Sequence, residues 1–124
     1  GEAFRVADRT GSGAEFALRI VDLPAGGDVR AVTALLASER AENNLTYRVV
    51  RTGQETIQGR NATVQAFAWV DPGGLTGAIP RVIQGVDYIF ITDNRVVIAT
   101  LVATPATIGD VEPLFRGFVS SLSF

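Results

Sequence analysis

The chain has 124 residues, a net charge of −2, and no His, Cys, Met or Lys, so all eleven of its basic residues are Arg. Those absences exclude an imidazole general base, a thiolate nucleophile or disulfide, a Schiff-base amine and a soft-ligand metal site. The acidic balance argues against a nucleic-acid partner, which needs a basic excess on one face.

With 47% hydrophobic residues, residues 1–124 are expected to fold as a single domain that buries roughly two thirds of its unfolded surface. Gly rather than Met at position 1 reads as a trimmed chain or the mature part of a longer precursor. No apolar run reaches the roughly 18 residues of a membrane span, so any membrane association is expected through an upstream anchor.

In chain order, Phe4 to Ala7 reads as a short strand turned by Thr10-Gly11-Ser12-Gly13 onto a longer one, Glu15 to Leu23. There Phe16, Leu18 and Ile20 alternate with Ala17, Arg19 and Val21, the period of a strand with one buried face. Asp28 is an N-cap candidate for a helix to about Glu42, with Val29, Val32, Leu35 and Leu36 as its core stripe and Asn43-Asn44 as its stop. The period then returns to two, predicting strands over Leu45–Thr52, Gln54–Gln58, Ala62–Asp71, Gly85–Thr92 and Arg95–Thr104. Asp93-Asn94 reads as a tight hairpin turn, and Pro72 to Pro80 as a mobile surface loop.

A last helix is predicted with Asp110 as N-cap, Pro113 in its first turn, and Val111, Leu114, Phe115, Phe118, Val119 and Leu122 on one face, Phe124 tucking into a pocket at its end. The fold class is therefore α+β: an antiparallel sheet of about six to seven strands covered by two main helices, one on each face or both on one side.

The helix followed by Leu45-Thr46-Tyr47-Arg48-Val49-Val50, the phrase Thr56-Ile57-Gln58-Gly59-Arg60-Asn61-Ala62, the paired segments Gly85–Phe90 and Arg95–Thr100, and the ending Phe115 to Phe124 together resemble the PsbP-like family. The resemblance spans nearly the whole chain and rests on packing phrases. It implies an α/β/α sandwich and a non-enzymatic accessory or binding domain of an exported or cell-envelope bacterial protein. It carries over no functional residue.

Among local motifs, Gly59-Arg60 could be an anion hook but reads more simply as a turn with a solvated or paired Arg. Gly11-Ser12-Gly13 lacks the Lys and following helix of a phosphate loop. Asp71, Asp87 and Asp93 stand near strand ends without calcium-loop spacing, so no metal or other cofactor is expected. The aromatic residues carry more weight. Phe67 and Trp69 share one face of their strand, opposite the small face Ala62, Val64, Ala66, Ala68 and Val70, and Trp69 could join Tyr88 and Phe90 in a patch. Such a patch belongs under the last helix with Phe115 and Phe118, or else stands partly open beside Pro72–Pro80 as a partner surface.

The expected function is a non-catalytic binding or accessory domain with a protein partner or larger assembly, a second copy of the chain among the options, located in the cell envelope or beyond. Its candidate surface is Trp69, Asp71, Leu75, Arg81, Asp87 and Tyr88. The alternative is a small-ligand-binding or carboxylate-based enzyme domain with a pocket near Trp69.

Overall fold

Strands whose two faces are both apolar must be covered twice, and this chain supplies one helix for each face. The computed structural model describes residues 2–7, 14–23, 27–71, 80–92 and 95–122. The elements are β1 (Glu2–Ala7), β2 (Glu15–Asp22), α1 (Val29–Asn43), β3 (Leu45–Ile57), β4 (Arg60–Asp71), β5 (Arg81–Thr92), β6 (Arg95–Ala103) and α2 (Pro105–Ser121). The strands form one six-stranded sheet in the order β1-β2-β6-β5-β4-β3, antiparallel throughout. After the N-terminal hairpin, α1 carries the chain across the sheet to its far edge, and the β3–β6 meander returns until β6 pairs with β2. The α+β class and the antiparallel sheet are as predicted, and the two helices take opposite faces.

Beneath α2, Val111, Phe115 and Val119 meet Val64, Val86, Tyr88, Val97, Ala99 and Leu101. Phe115 is the centre of that layer, its ring 5.1 Å from Phe16 and 5.7 Å from Tyr88, both edge-on. Beneath α1, Val32 and Leu36 meet Ile89, Val96 and Ile98. Asp28 caps α1 as predicted, its carboxylate accepting from the Ala31 amide at 3.1 Å, and Arg19 of β2 reaches Glu39 at 3.0 Å. Among the described residues no helix is long and apolar enough to cross a membrane.

Several local expectations are corrected. The segments predicted as two strands over 45–58 are one strand, β3, because Gly53 at a sheet edge removes a side chain without breaking the ladder. Register shifts between Leu45 and Arg48 and between Val49 and Arg51 bend that edge strand, which disturbs the alternation and discourages edge-to-edge pairing. Helix α2 starts at Pro105, not after Asp110: the Thr104 carbonyl accepts the first intrahelical bonds from Thr107 and Ile108, and Pro105 at the first position loses nothing by lacking an amide. Pro113 consequently lies inside the helix. With Gly109 and Gly117 also in it, α2 is poor in intrinsic propensity and depends on packing. Leu35 and Leu114, placed on core stripes by the sequence, are 53% and 69% exposed. The buried rows run at intervals of four through Val32–Leu36 and Val111–Phe115–Val119.

The Gln58-Gly59 turn has positive φ at both residues, 52° and 75°, the conformation of a two-residue hairpin turn whose twist matches the flanking strands. Arg60 pairs opposite Ile57 and donates to the Leu122 carbonyl at 3.3 Å, so it ties the hairpin to the end of α2. The Asp93-Asn94 turn, the Pro72–Ile79 part of the predicted loop, and Phe124 lie outside the described residues.

Candidate functional site

Directly opposed residues on antiparallel strands point to the same face. The β4–β5 register pairs Asp71 with Arg81, Trp69 with Ile83, Phe67 with Gly85 and Gln65 with Asp87, all on the α1 face. Of the predicted residues, Trp69, Asp71 and Arg81 therefore gather at one end of that face, where Arg81 Nε lies 3.5 Å from Asp71 Oδ2. Leu75 lies outside the described residues. Asp87 shares the face but sits six positions further along the strands, about 20 Å away at the rise of a strand. Tyr88 points to the opposite face, under α2.

The aromatic patch predicted from Trp69, Tyr88 and Phe90 is thus split between the two sides of the sheet, because the register sets Trp69 out of phase with both. Trp69, half-buried, stacks instead on Phe67, with centroids 5.6 Å apart and planes within 5°.

Asp87 is completely buried, and its environment explains how. Arg40, in the last turn of α1, donates from Nη1 to Oδ2 at 2.5 Å and from Nη2 to Oδ1 at 2.7 Å, and the Thr100 hydroxyl of β6 donates to Oδ1 at 2.6 Å. The guanidinium lies over the Phe67 ring, 4.2 Å from its centroid, a cation–π contact made stronger by exclusion of water. Burial works against the Arg40 charge, but the hydrogen bonds and Coulomb attraction of Asp87 outweigh it and hold the guanidinium above its ordinary value. Fork-on-carboxylate geometry of this kind fixes position as well as charge, so the pair fastens the C-terminal turn of α1 to the middle of the sheet.

On the α2 face, Arg116 donates to the Tyr88 hydroxyl at 2.8 Å and also bridges to Glu55 of β3. The Arg116 hydrogen bond lowers the Glu55 pKa, and burial pushes the Tyr88 phenol up from its ordinary value of 10.0. The folded state therefore keeps the Tyr88 proton longer than the unfolded chain does. The stability that this proton contributes is fully present below the unfolded value and is lost as pH rises through the folded one. Urea midpoints measured at about pH 9 and about pH 11 should fall less steeply for Tyr88→Phe than for the unsubstituted protein. Equal slopes would mean that Tyr88 ionises freely in the fold.

No protein-family model matches the sequence, and no curated protein matches it significantly. Solved structures do match. The crystal structure of a Pseudomonas aeruginosa protein of unknown function, described as a candidate regulator, is similar with a TM-score of 0.68 at 20% identity, over 99% of this chain and 81% of that one. The solution structure of cyanobacterial PsbP from Synechocystis sp. PCC 6803 is similar with a TM-score of 0.61 at 11% identity, over 96% of this chain and 79% of that one.

The fold is PsbP-like. At these identities the likeness describes architecture, and the site has to be argued from this chain's own residues. Within its PsbP-like sheet, the residues that sequence reasoning missed are Arg40, Phe67 and Thr100 around Asp87, and Arg116 with Glu55 around Tyr88. Two signals pointed to the first group. Arg40 continues the row Val32–Leu36 at the same interval of four, and Asp87 interrupts the apolar run Val86 to Ile91. A carboxylate at such a place needs a charged partner.

Proposed function

We propose that the chain is a non-catalytic accessory domain that binds a protein partner through the end of β4 and β5, where half-buried Trp69 stands beside the Asp71–Arg81 ion pair. The observation that carries this reading is the engagement of Asp87: three donors occupy the carboxylate of the one fully buried acid among the described residues, which leaves it poorly placed to act as a base. The carboxylate-enzyme alternative drew on Asp71 and Asp87. Their separation of about 20 Å is far beyond the roughly 5–9.5 Å of paired catalytic acids. The extracytoplasmic location that the PsbP-like resemblance implies belongs to the same proposal.

Trp69 is the sole tryptophan, so its fluorescence reports on that surface alone. The immobilised protein should capture a partner from an envelope extract, the purified partner should shift Trp69 emission, and Trp69→Ala should abolish capture at unchanged thermal stability. Capture that is indifferent to Trp69→Ala, or no partner enriched over a control, would count against the reading.

A further inference from the structure

The α2 face holds a second feature that the docking reading does not use. Two cavities adjoin between α2 and the β3–β5 half of the sheet, with volumes of about 230 Å³ and 160 Å³. Arg51 and Glu112 line both, so they stand at the waist of one continuous groove, Arg51 on the edge strand and Glu112 on the helix. Together the cavities fall in the lower part of the roughly 300–1,000 Å³ range of small-ligand sites.

The two halves differ in chemistry. The larger is walled by Val50, Val86 and Ile108, with the small side chain of Ala66 between them and Gln84 at its margin; Val50 is 63% exposed. In the smaller half the charged and polar groups are already committed, Arg116 holding Glu55 and the Tyr88 hydroxyl. Arg51 and Glu112 are different. Among the described residues neither makes a salt bridge or side-chain hydrogen bond, and each acts on its neighbours only through space, Arg51 on Glu55 and Glu112 on Tyr88. The waist thus presents a cation and an anion from different elements, both with hydrogen-bonding capacity open among the described residues, next to an apolar compartment.

We propose that this groove binds a free α-amino acid with an aliphatic side chain. The Arg51 fork takes the carboxylate, Glu112 accepts from the ammonium, and the side chain enters the compartment of Val50, Val86 and Ile108. A simple anion meets repulsion from Glu112 and a simple cation meets repulsion from Arg51, so the pair selects a ligand carrying both charges close together. The groove opens beneath α2, on the other side of the sheet from Trp69; Phe67, which stacks on Trp69, reaches its lining, but the proposal does not use the partner surface.

The test is an NMR titration of the full chain with L-leucine, N-acetyl-L-leucine, which lacks the ammonium, and L-leucinamide, which lacks the carboxylate. It is repeated on Arg51→Gln and Glu112→Gln, both at solvent-accessible positions, with thermal melts to check folding. Expected are saturable shifts of the Arg51, Val86, Ile108 and Glu112 amides with leucine, and binding weaker by about tenfold or more for each analogue and each variant, the effect of losing one charge-assisted contact. The proposal is overturned if millimolar leucine gives no saturable shift in the groove, if either analogue binds as well as leucine, or if both variants bind leucine unchanged while still folded.

Discussion

Arg40→Ala is expected to lower the unfolding free energy by about 3–5 kcal/mol, the cost of leaving a buried carboxylate without its counter-ion. Asp87 has no access to water, and Thr100 would remain its only described donor. Against the roughly 5–15 kcal/mol of a typical domain, such a loss brings the chain close to unfolding at physiological temperature. Asp87→Asn should cost less. The amide keeps some hydrogen bonds, and Arg40, whose side chain is 16% exposed and lies over Phe67, can turn partly toward solvent. Replacing both partners with apolar residues, Arg40→Met with Asp87→Leu, should recover most of the loss, because it removes the desolvation cost together with the attraction. Urea midpoints at unchanged slope measure each variant, and the double-mutant cycle gives the coupling. A cost below about 1 kcal/mol for Arg40→Ala would place the pair among surface ion pairs, leaving α1 held mainly by Val32 and Leu36.

The contrast between what the sequence disclosed and what it did not follows the reach of each interaction. The strands of the meander and both helices were legible because a buried face imposes a period on neighbouring residues, and the Asp28 cap because it acts over three positions. The Arg40–Asp87 bond joins residues 47 apart, and nothing local to either one names the other. Face assignment failed for a related reason. Trp69, Tyr88 and Phe90 are each on a regular alternation, but whether two strands are in phase is decided by register, which pairs Val64 with Tyr88 and so sends Tyr88 away from Trp69. The start of α2 was misplaced because Asp110 and Pro113 imitate a cap and a first turn, while Thr104, six residues before Asp110, is the cap that the carbonyl hydrogen bonds use, with Pro105 at the first helical position.

Gly85→Ala is the second substitution expected to act strongly, and it tests how α1, Phe67 and the sheet are joined. Gly85 lies directly opposite Phe67 across the β4–β5 ladder. A Cβ there would run into the edge of the Phe67 ring and approach the Leu101 carbonyl oxygen to 2.8 Å, closer than real Cβ atoms come. The ring cannot readily give way: it is 2% exposed, stacked on Trp69, 5.8 Å from the Tyr47 ring and covered by the Arg40 guanidinium. Overpacking of this kind costs about 1–3 kcal/mol. Here the displaced ring would also disturb the floor on which Arg40 lies, so the upper end of that range is expected. Phe67→Leu alone should be destabilising, since it removes the stacking and cation–π partner. Combined with Gly85→Ala it should cost less than the sum of the single losses, because the smaller side chain frees the space that the new methyl needs. Rescue should remain partial, as the contact with the Leu101 backbone is untouched. Strict additivity would mean that backbone displacement at Leu101, rather than the Phe67 ring, sets the cost of a side chain at position 85.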